Sequence, residues 1–220
     1  SIGSENVAVG TFSLSGNITG SSNTVVGYNS NVLTSGLSNA SAFGSGAIVD
    51  ASNKVRIGST SVFSIGGQVG WTTFSDGRYK QNIQEDVPGI AFITKLKPVS
   101  YTVDINSLNH NYYKIKKDAA TCFSNIERQT CFIAQYVEKA AHELNYSFSG
   151  IDKPAVENGL YGLRYAEFVV PLVKAVQEQQ EIIQTQEKQI EVLNSKYSEQ
   201  KRQTDDLLKR VEKLESFLNF

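Results

Sequence analysis

Residues 75–84 read SDGRYKQNIQ, and the chain changes character across them. Upstream, residues 1–74 hold twelve glycines, no proline and four charged side chains, Glu5, Asp50, Lys54 and Arg56. Downstream come all four prolines and nearly all the charge. Net charge stays near zero in each section: two acids and two bases in 1–74, ten and ten in 75–163, ten and nine in 164–220. No basic stripe is offered to nucleic acid, and no apolar run is long enough to span a bilayer. Neither kind of partner is expected. The chain contains no methionine and begins SIGSENVAVG, so it reads as an internal or C-terminal piece of a longer product with no signal peptide in view.

Moving upstream from residue 75, a short motif recurs: ENVAVG, NTVVG, ASAFG and KVRIG place Gly10, Gly27, Gly44 and Gly58 at intervals of 17, 17 and 14. Each unit has an alternating apolar run, a glycine, then a polar stretch of Ser, Asn and Thr. Alternation suits a short strand with one buried face, and a glycine after it permits a tight corner. A coil of this kind buries little by itself, so stacking between turns, and between chains, must complete its core. The repeats resemble the head repeats of trimeric adhesins and the shafts of phage tail fibres, which implies a β-roll or β-prism shaft over 1–74.

Toward the other end, an apolar register runs unbroken from Val169. Its a positions are Val169, Val176, Ile183, Ile190, Tyr197, Thr204, Val211 and Leu218; its d positions are Leu172, Gln179, Gln186, Leu193, Gln200, Leu207 and Leu214. Seven heptads in one frame predict a coiled coil over 166–220. Pro171 fits the first turn of that helix or marks a kink. The polar residues Gln179, Gln186, Gln200 and Thr204 weaken the seam but can fix register. Branched a positions with mixed d positions do not choose between dimer and trimer, and the fibre-like repeats favour a homotrimer.

Between these ends, 75–165 reads as a small α/β unit. A short helix is expected at GIAFITKLK (89–97), a strand at VSYTVDI (99–105), and a polar excursion at NSLNHNYYKIKKD (106–118). A strand at RQTCFIAQ (128–135), a helix at YVEKAAHEL (136–144) and a loop at FSGIDKPAVENG (148–159) follow. LYGLRYAEF then leads into the long helix. Cys122 and Cys131 are nine apart and His110 and His142 are scattered, so no metal site is expected. The two thiols are expected to be reduced or semi-buried. No cofactor is implied.

The elbow itself can carry chemistry. A serine hydroxyl becomes a nucleophile when a base takes its proton, and a lysine can be that base once desolvation brings its pKa from about 10.4 toward about 7–8. Ser75 and Lys80 are five apart, which on a regular helix sets them about 140° apart on different faces. They meet only if Ser75 lies in an extended or capping segment ahead of the turn, and Gly77 would allow that turn. The bland alternative is that Ser75 and Asp76 cap a helix while Lys80 is a solvated surface charge.

The surroundings favour chemistry. SDGRYKQNI resembles the S-D-x-R-x-K-x-N-I signature opening the intramolecular chaperone auto-processing domain of phage tail fibres and tailspikes. The same domain occurs in phage endosialidases and in the membrane-bound myelin regulatory factor. LKPVSYTV, FIAQYVEKAAHEL and LYGLRYAEFVVPLVKAVQEQQ continue the resemblance in order over nearly all of 75–180. It implies that Ser75 is the nucleophile and Lys80 the general base, and that the chain cuts its own Phe74–Ser75 bond. Asp76, Arg78 and Asn82 match signature positions and, with Gly77, are assigned to orienting the elbow. Cys131 stands where glycine is common, and Tyr136 where an acid often stands; both bear on local packing rather than on the pair.

The expected whole is therefore a mixed-class homotrimer: a β-repeat shaft, a chaperone domain and a coiled coil. The chaperone would assemble the upstream fibre of the same chain in the host cytoplasm, then leave it in the virion tail. Any host-surface receptor would be met by regions outside this chain. The competing reading is a non-cleaving structural fibre tip or adhesin with a permanent coiled coil. A membrane-tethered transcription factor sharing the domain is disfavoured, because 1–74 has no DNA-binding character.

Overall fold

The computed structural model describes residues 2–114, 127–154 and 159–218. It is of mixed α/β class, with small sheets and one long C-terminal helix. By internal contacts its described residues divide into two compact units, one from 1–83, 98–133 and 153–162, the other from 84–97, 134–152 and 163–220.

The first unit is dominated by a parallel ladder. Strands β1 (Val7–Val9), β2 (Thr24–Val26), β4 (Ser41–Phe43) and β6 (Val55–Ile57) form one sheet in that order. Strands β3 (Asn31–Val32) and β5 (Ile48–Val49) pair as a second. Partners follow the repeat interval: Val7 sits beside Thr24, Thr24 beside Ser41, and Ser41 beside Val55. Each turn of chain lays its strand in register over the last. Val25, Val32, Ala40, Ala42, Ala47 and Val49 fill the narrow interior.

The buried amide of Asn23 is satisfied by the same stacking. Fully buried Asn23 donates to Asn6 Oδ1 and to the Leu37 carbonyl, and its own Oδ1 accepts from the Ala40 amide. A serine ladder runs beside it, in which the amides of Ser4, Ser21 and Ser38 donate to the hydroxyls of Ser21, Ser38 and Ser52. Such bonds remove the penalty for burying amides and fix the stacking register together with the backbone. At Gly27 the register requires glycine twice over: φ is +136°, and a Cβ would lie 2.5 Å from the Gly44 carbonyl oxygen.

The step from β4 to β6 is short because the return path contracts. Residues 33–40 connect β3 to β4, whereas only 50–54 connect β5 to β6. Asp50, Lys54 and Arg56 lie at this contraction. Asp50 is buried, with Lys54 Nζ at 3.6 Å and Arg56 Nη2 at 3.2 Å from its Oδ1. Its Oδ2 accepts from the Tyr112 hydroxyl at 3.3 Å. Burial and the Asp50 charge push the Tyr112 hydroxyl above the ordinary tyrosine range, so it remains a donor there.

Tyr112 belongs to the polar excursion. After α1 (Ile90–Ile93) and β7 (Pro98–Tyr101), the excursion forms α2 (Ile105–Ser107), with Asp104 as its cap, and a π turn over Leu108–Tyr112. The excursion is tied to the segment after the ladder's last strand by Thr60 Oγ1, which donates to Asn109 Oδ1 at 2.9 Å. Its final residues, and Cys122, lie outside the described residues. Strand β8 (Gln129–Phe132) returns antiparallel to β7, with half-buried Cys131 opposite Val99.

The second unit packs around aromatic rings. Phe92 of α1 is wholly buried, its ring 5.2 Å from Tyr146 and 5.0 Å from Phe148; Phe148 lies 4.8 Å from Phe168. Helix α3 (Ala134–His142) turns Ala134, Val137, Ala140 and Ala141 inward and leaves Tyr136 exposed. Two-residue strands β9 (Ile151–Asp152) and β10 (Gly162–Leu163) follow, and then a 3-10 turn, Tyr165–Phe168, opens into α4 (Val169–Leu218), a helix of 50 residues. Pro171 falls in its first turn, where its missing N–H has no intrahelical acceptor. The start of α4 buries Pro171 and Ala175 against α1, while Glu178 Oε2 accepts from the Ile90 amide at 2.7 Å. Gly89 allows that approach, since a Cβ there would stand 2.7 Å from the Ala175 nitrogen. The heptad a and d positions lie on a different stripe. Val169, Leu172, Val176, Ile183, Ile190, Leu193, Leu207, Val211 and Leu214 are all exposed in the single chain.

Candidate functional site

The elbow at residues 74–82 is an extended chain interrupted by one 3-10 turn, Gly77–Tyr79. Asp76 precedes the turn with φ −80° and ψ 119°, and Lys80 follows it with φ −98° and ψ 132°, so both flanks are extended. The Tyr79 amide donates to the Asp76 carbonyl and the Lys80 amide to the Gly77 carbonyl. With about three residues per turn and a rise near 2 Å, this compact step shortens the path between residues 75 and 80. Lys80 Nζ donates to Ser75 Oγ at 2.8 Å. Five-residue spacing, unfavourable on an α-helix, is closed by a single tight turn between extended flanks.

Asp76 holds the turn in shape. Its carboxylate accepts from the Arg78 amide at 3.0 Å and takes the guanidinium through Nε and Nη2, the shortest contact being 2.6 Å. The Arg78 guanidinium, and then its amide, hold the Asp76 carboxyl below the usual aspartate range. A forked pair of this kind is geometrically specific, although both residues border solvent and its energetic contribution is small. Gly77 lies within the turn without a left-handed backbone, and no atom lies within 4 Å of where its Cβ would stand. A 3-10 turn needs no positive φ. Asn82 supplies that conformation instead, at φ +52°, and redirects the chain after Lys80.

Phe74 and Tyr79 make a second contact across the same turn, with ring centroids 5.9 Å apart and planes at 45°. The Arg78 guanidinium lies 5.8 Å from the Tyr79 ring centre. Sequence reading passed over Tyr79, although an available signal was its spacing: Phe74 and Tyr79 are five apart, as Ser75 and Lys80 are. Ser75 and Lys80 are exposed, and Phe74 and Tyr79 are 76% and 70% accessible. In the single chain the pair is therefore assembled but uncovered.

Residues 75–146 match the family model described as chaperone of endosialidase. The match begins on Ser75. No curated protein and no solved structure matches the chain. The matched segment opens on the elbow, takes in α1, β7, the excursion, β8 and α3, and ends at Tyr146 beside Phe92. Its first residue is thus the one whose hydroxyl meets Lys80, and the residue before it is Phe74. Among the described residues no helix is long and apolar enough to cross a membrane.

Proposed function

We propose that residues 75–220 are an assembly chaperone for a fibre built from the upstream ladder, and that each chain then cuts itself at Phe74–Ser75. The observation carrying this reading is the 2.8 Å Lys80–Ser75 contact on the first residue of an endosialidase-chaperone domain. In functional terms 1–74 is the fibre segment, 75–165 the chaperone and processing domain, and 166–220 the helix that joins three copies. The exposed a and d stripe of α4 supports that joining, because water-exposed apolar heptads gain most by packing against one another.

The proposed chemistry uses groups of one chain. Lys80 in its neutral form takes the Ser75 hydroxyl proton as Oγ attacks the Phe74 carbonyl carbon. A C–O bond forms, the Phe74–Ser75 C–N bond breaks, and the proton passes from Lys80 to the departing Ser75 amine. Water then hydrolyses the ester, leaving a Phe74 carboxylate and restoring the Ser75 hydroxyl. Asp76, Arg78 and Asn82 hold the turn in which the two groups meet. Cleavage leaves a fibre in the virion tail that no longer carries its folding device and is kinetically trapped.

Exposure of Ser75 and Lys80 also suits a second reading, a fibre tip in which the pair is inert and the coiled coil permanent. Intact mass of the expressed chain separates them. Self-cleavage yields fragments of residues 1–74 and 75–220, whereas an inert tip yields the full chain alone. Ser75→Ala and Lys80→Ala should each slow fragment formation about 10²–10⁴-fold or more, the usual range for loss of acid–base assistance, while Asp104→Ala cleaves normally. A fragment beginning at Ser75 formed by either variant at the parent rate overturns the pair's role.

A further inference from the structure

The turn Gly77–Tyr79 makes two side-chain contacts of equal span, Lys80 to Ser75 and Tyr79 to Phe74. The first brings a proton acceptor to the nucleophile. The second holds the residue whose carbonyl the nucleophile must reach. Attack by Ser75 on the preceding carbonyl closes a five-membered ring, and it proceeds only from a narrow range of torsions about the Phe74–Ser75 linkage. A free Phe74 side chain lets that linkage wander. A ring packed 5.9 Å from Tyr79 narrows that freedom, because Tyr79 is itself on the turn that carries Lys80.

The Tyr79 ring has a second neighbour on the same turn. The Arg78 guanidinium, forked onto the Asp76 carboxylate, lies 5.8 Å from the Tyr79 ring centre. Asp76, Arg78, Tyr79 and Phe74 thus form a continuous chain of contacts from the cap of the turn to the residue before the scissile bond. We propose that Tyr79 is a positioning residue that selects an aromatic side chain at position 74 and so aligns the Phe74 carbonyl with Ser75 Oγ. The proposal rests on the self-cleavage reading above. It adds a specificity element which that reading does not require.

The test uses the full chain and follows release of the fragment beginning at Ser75 by intact mass against time. Tyr79→Ala and Phe74→Ala should each slow release about 2- to 10-fold, the range an aromatic pair contributes. Tyr79→Phe should restore the parent rate, because the ring and not the hydroxyl is used. The double variant should be no slower than the slower single one. Hydroxylamine, which cleaves the ester, should leave the rate of Tyr79→Ala unchanged, since the deficit lies in the first attack. Oligomeric state by light scattering should match the parent in every variant. If Tyr79→Ala fails to assemble, Phe74→Ala, which leaves the chaperone domain intact, decides alone: a parent rate there refutes the proposal. A parent rate in Tyr79→Ala, an equal loss in Tyr79→Phe, multiplicative losses in the double variant, or rescue by hydroxylamine would each overturn positioning while leaving self-cleavage standing. Absence of any fragment from the unaltered chain would instead remove the self-cleavage reading, and positioning with it.

Discussion

The strand ladder of residues 7–57 and the helix α4 satisfy themselves to different degrees. In the ladder, the backbone, the apolar interior and the buried Asn23 amide are answered by neighbouring turns of the same chain. Val25 and Asn23 are wholly buried, each over a counterpart 17 residues away. In α4 only the backbone is answered locally, since every i to i−4 bond is internal. Beyond Glu178 the 50-residue helix leaves its apolar seam to solvent. A repeat stacked on itself can reach a native interior one chain at a time, whereas a single heptad stripe reaches its interior only when other chains arrive. The ladder is not free of this need, because Val7, Val9, Phe43, Val55 and Ile57 remain exposed on its outer face. Its interior is nonetheless complete.

The sharpest way to break the comparison is to charge the seam. Replacing Ile183, Ile190 and Val211 together with Asp buries unpaired carboxylates wherever chains meet, at a cost of several kcal/mol per chain. The expected product is a monomer by light scattering, with far-UV circular dichroism still reporting a ladder and with Ser75 and Lys80 untouched. It should also remain uncleaved, because neighbouring chains are what could cover an exposed pair. A monomer that processes at the parent rate would separate cleavage from assembly.

A smaller effect should follow from crowding the ladder. Gly27→Ala places a Cβ 2.5 Å from the Gly44 carbonyl oxygen at φ +136°, and strain of this kind costs about 1–3 kcal/mol. Measured in the uncleaved Ser75→Ala background, the ladder's unfolding midpoint should fall by several degrees while the helix signal stays. An unchanged midpoint would mean that the turns do not stack as closely as the ladder requires.

The pH dependence sharpens the elbow's part. Asp76 has a carboxyl lowered by Arg78, so whatever order the pair lends the turn is complete above the ordinary aspartate range. That order is lost only as pH falls through the lowered value. Between pH 5 and 9 the contribution of Asp76 therefore does not change, and the cleavage rate is expected to rise with pH as general-base assistance requires. A flat profile would remove lysine as the base. Least affected of all should be Gly77→Ala, whose added methyl meets nothing within 4 Å and whose φ is not left-handed; its cleavage rate and stability should match the parent closely.

Much of this was legible in residue order because the features are local or periodic. The glycines at 10, 27, 44 and 58 state the interval of a stacked repeat, and the ladder pairs Val7, Thr24, Ser41 and Val55 at that interval. The match to the endosialidase-chaperone model was legible from SDGRYKQNI onward, since a signature lies in consecutive side chains. The long helix was legible because one 3.5-residue period continues through it. Tertiary structure decided what depends on distant partners or on backbone torsion. It chose a 3-10 turn over Gly77–Tyr79 and placed a positive φ on Asn82, because the hydrogen bonds of the turn set that path. It ordered the excursion by setting Tyr112 on Asp50, 62 residues away, a pairing that no local pattern encodes. It also divided the start of α4 into two stripes, one taken by Gly89 and Ile90 and the other left open. Sequence states which faces of a helix are apolar; only the packing of the folded chain decides which of them it covers for itself.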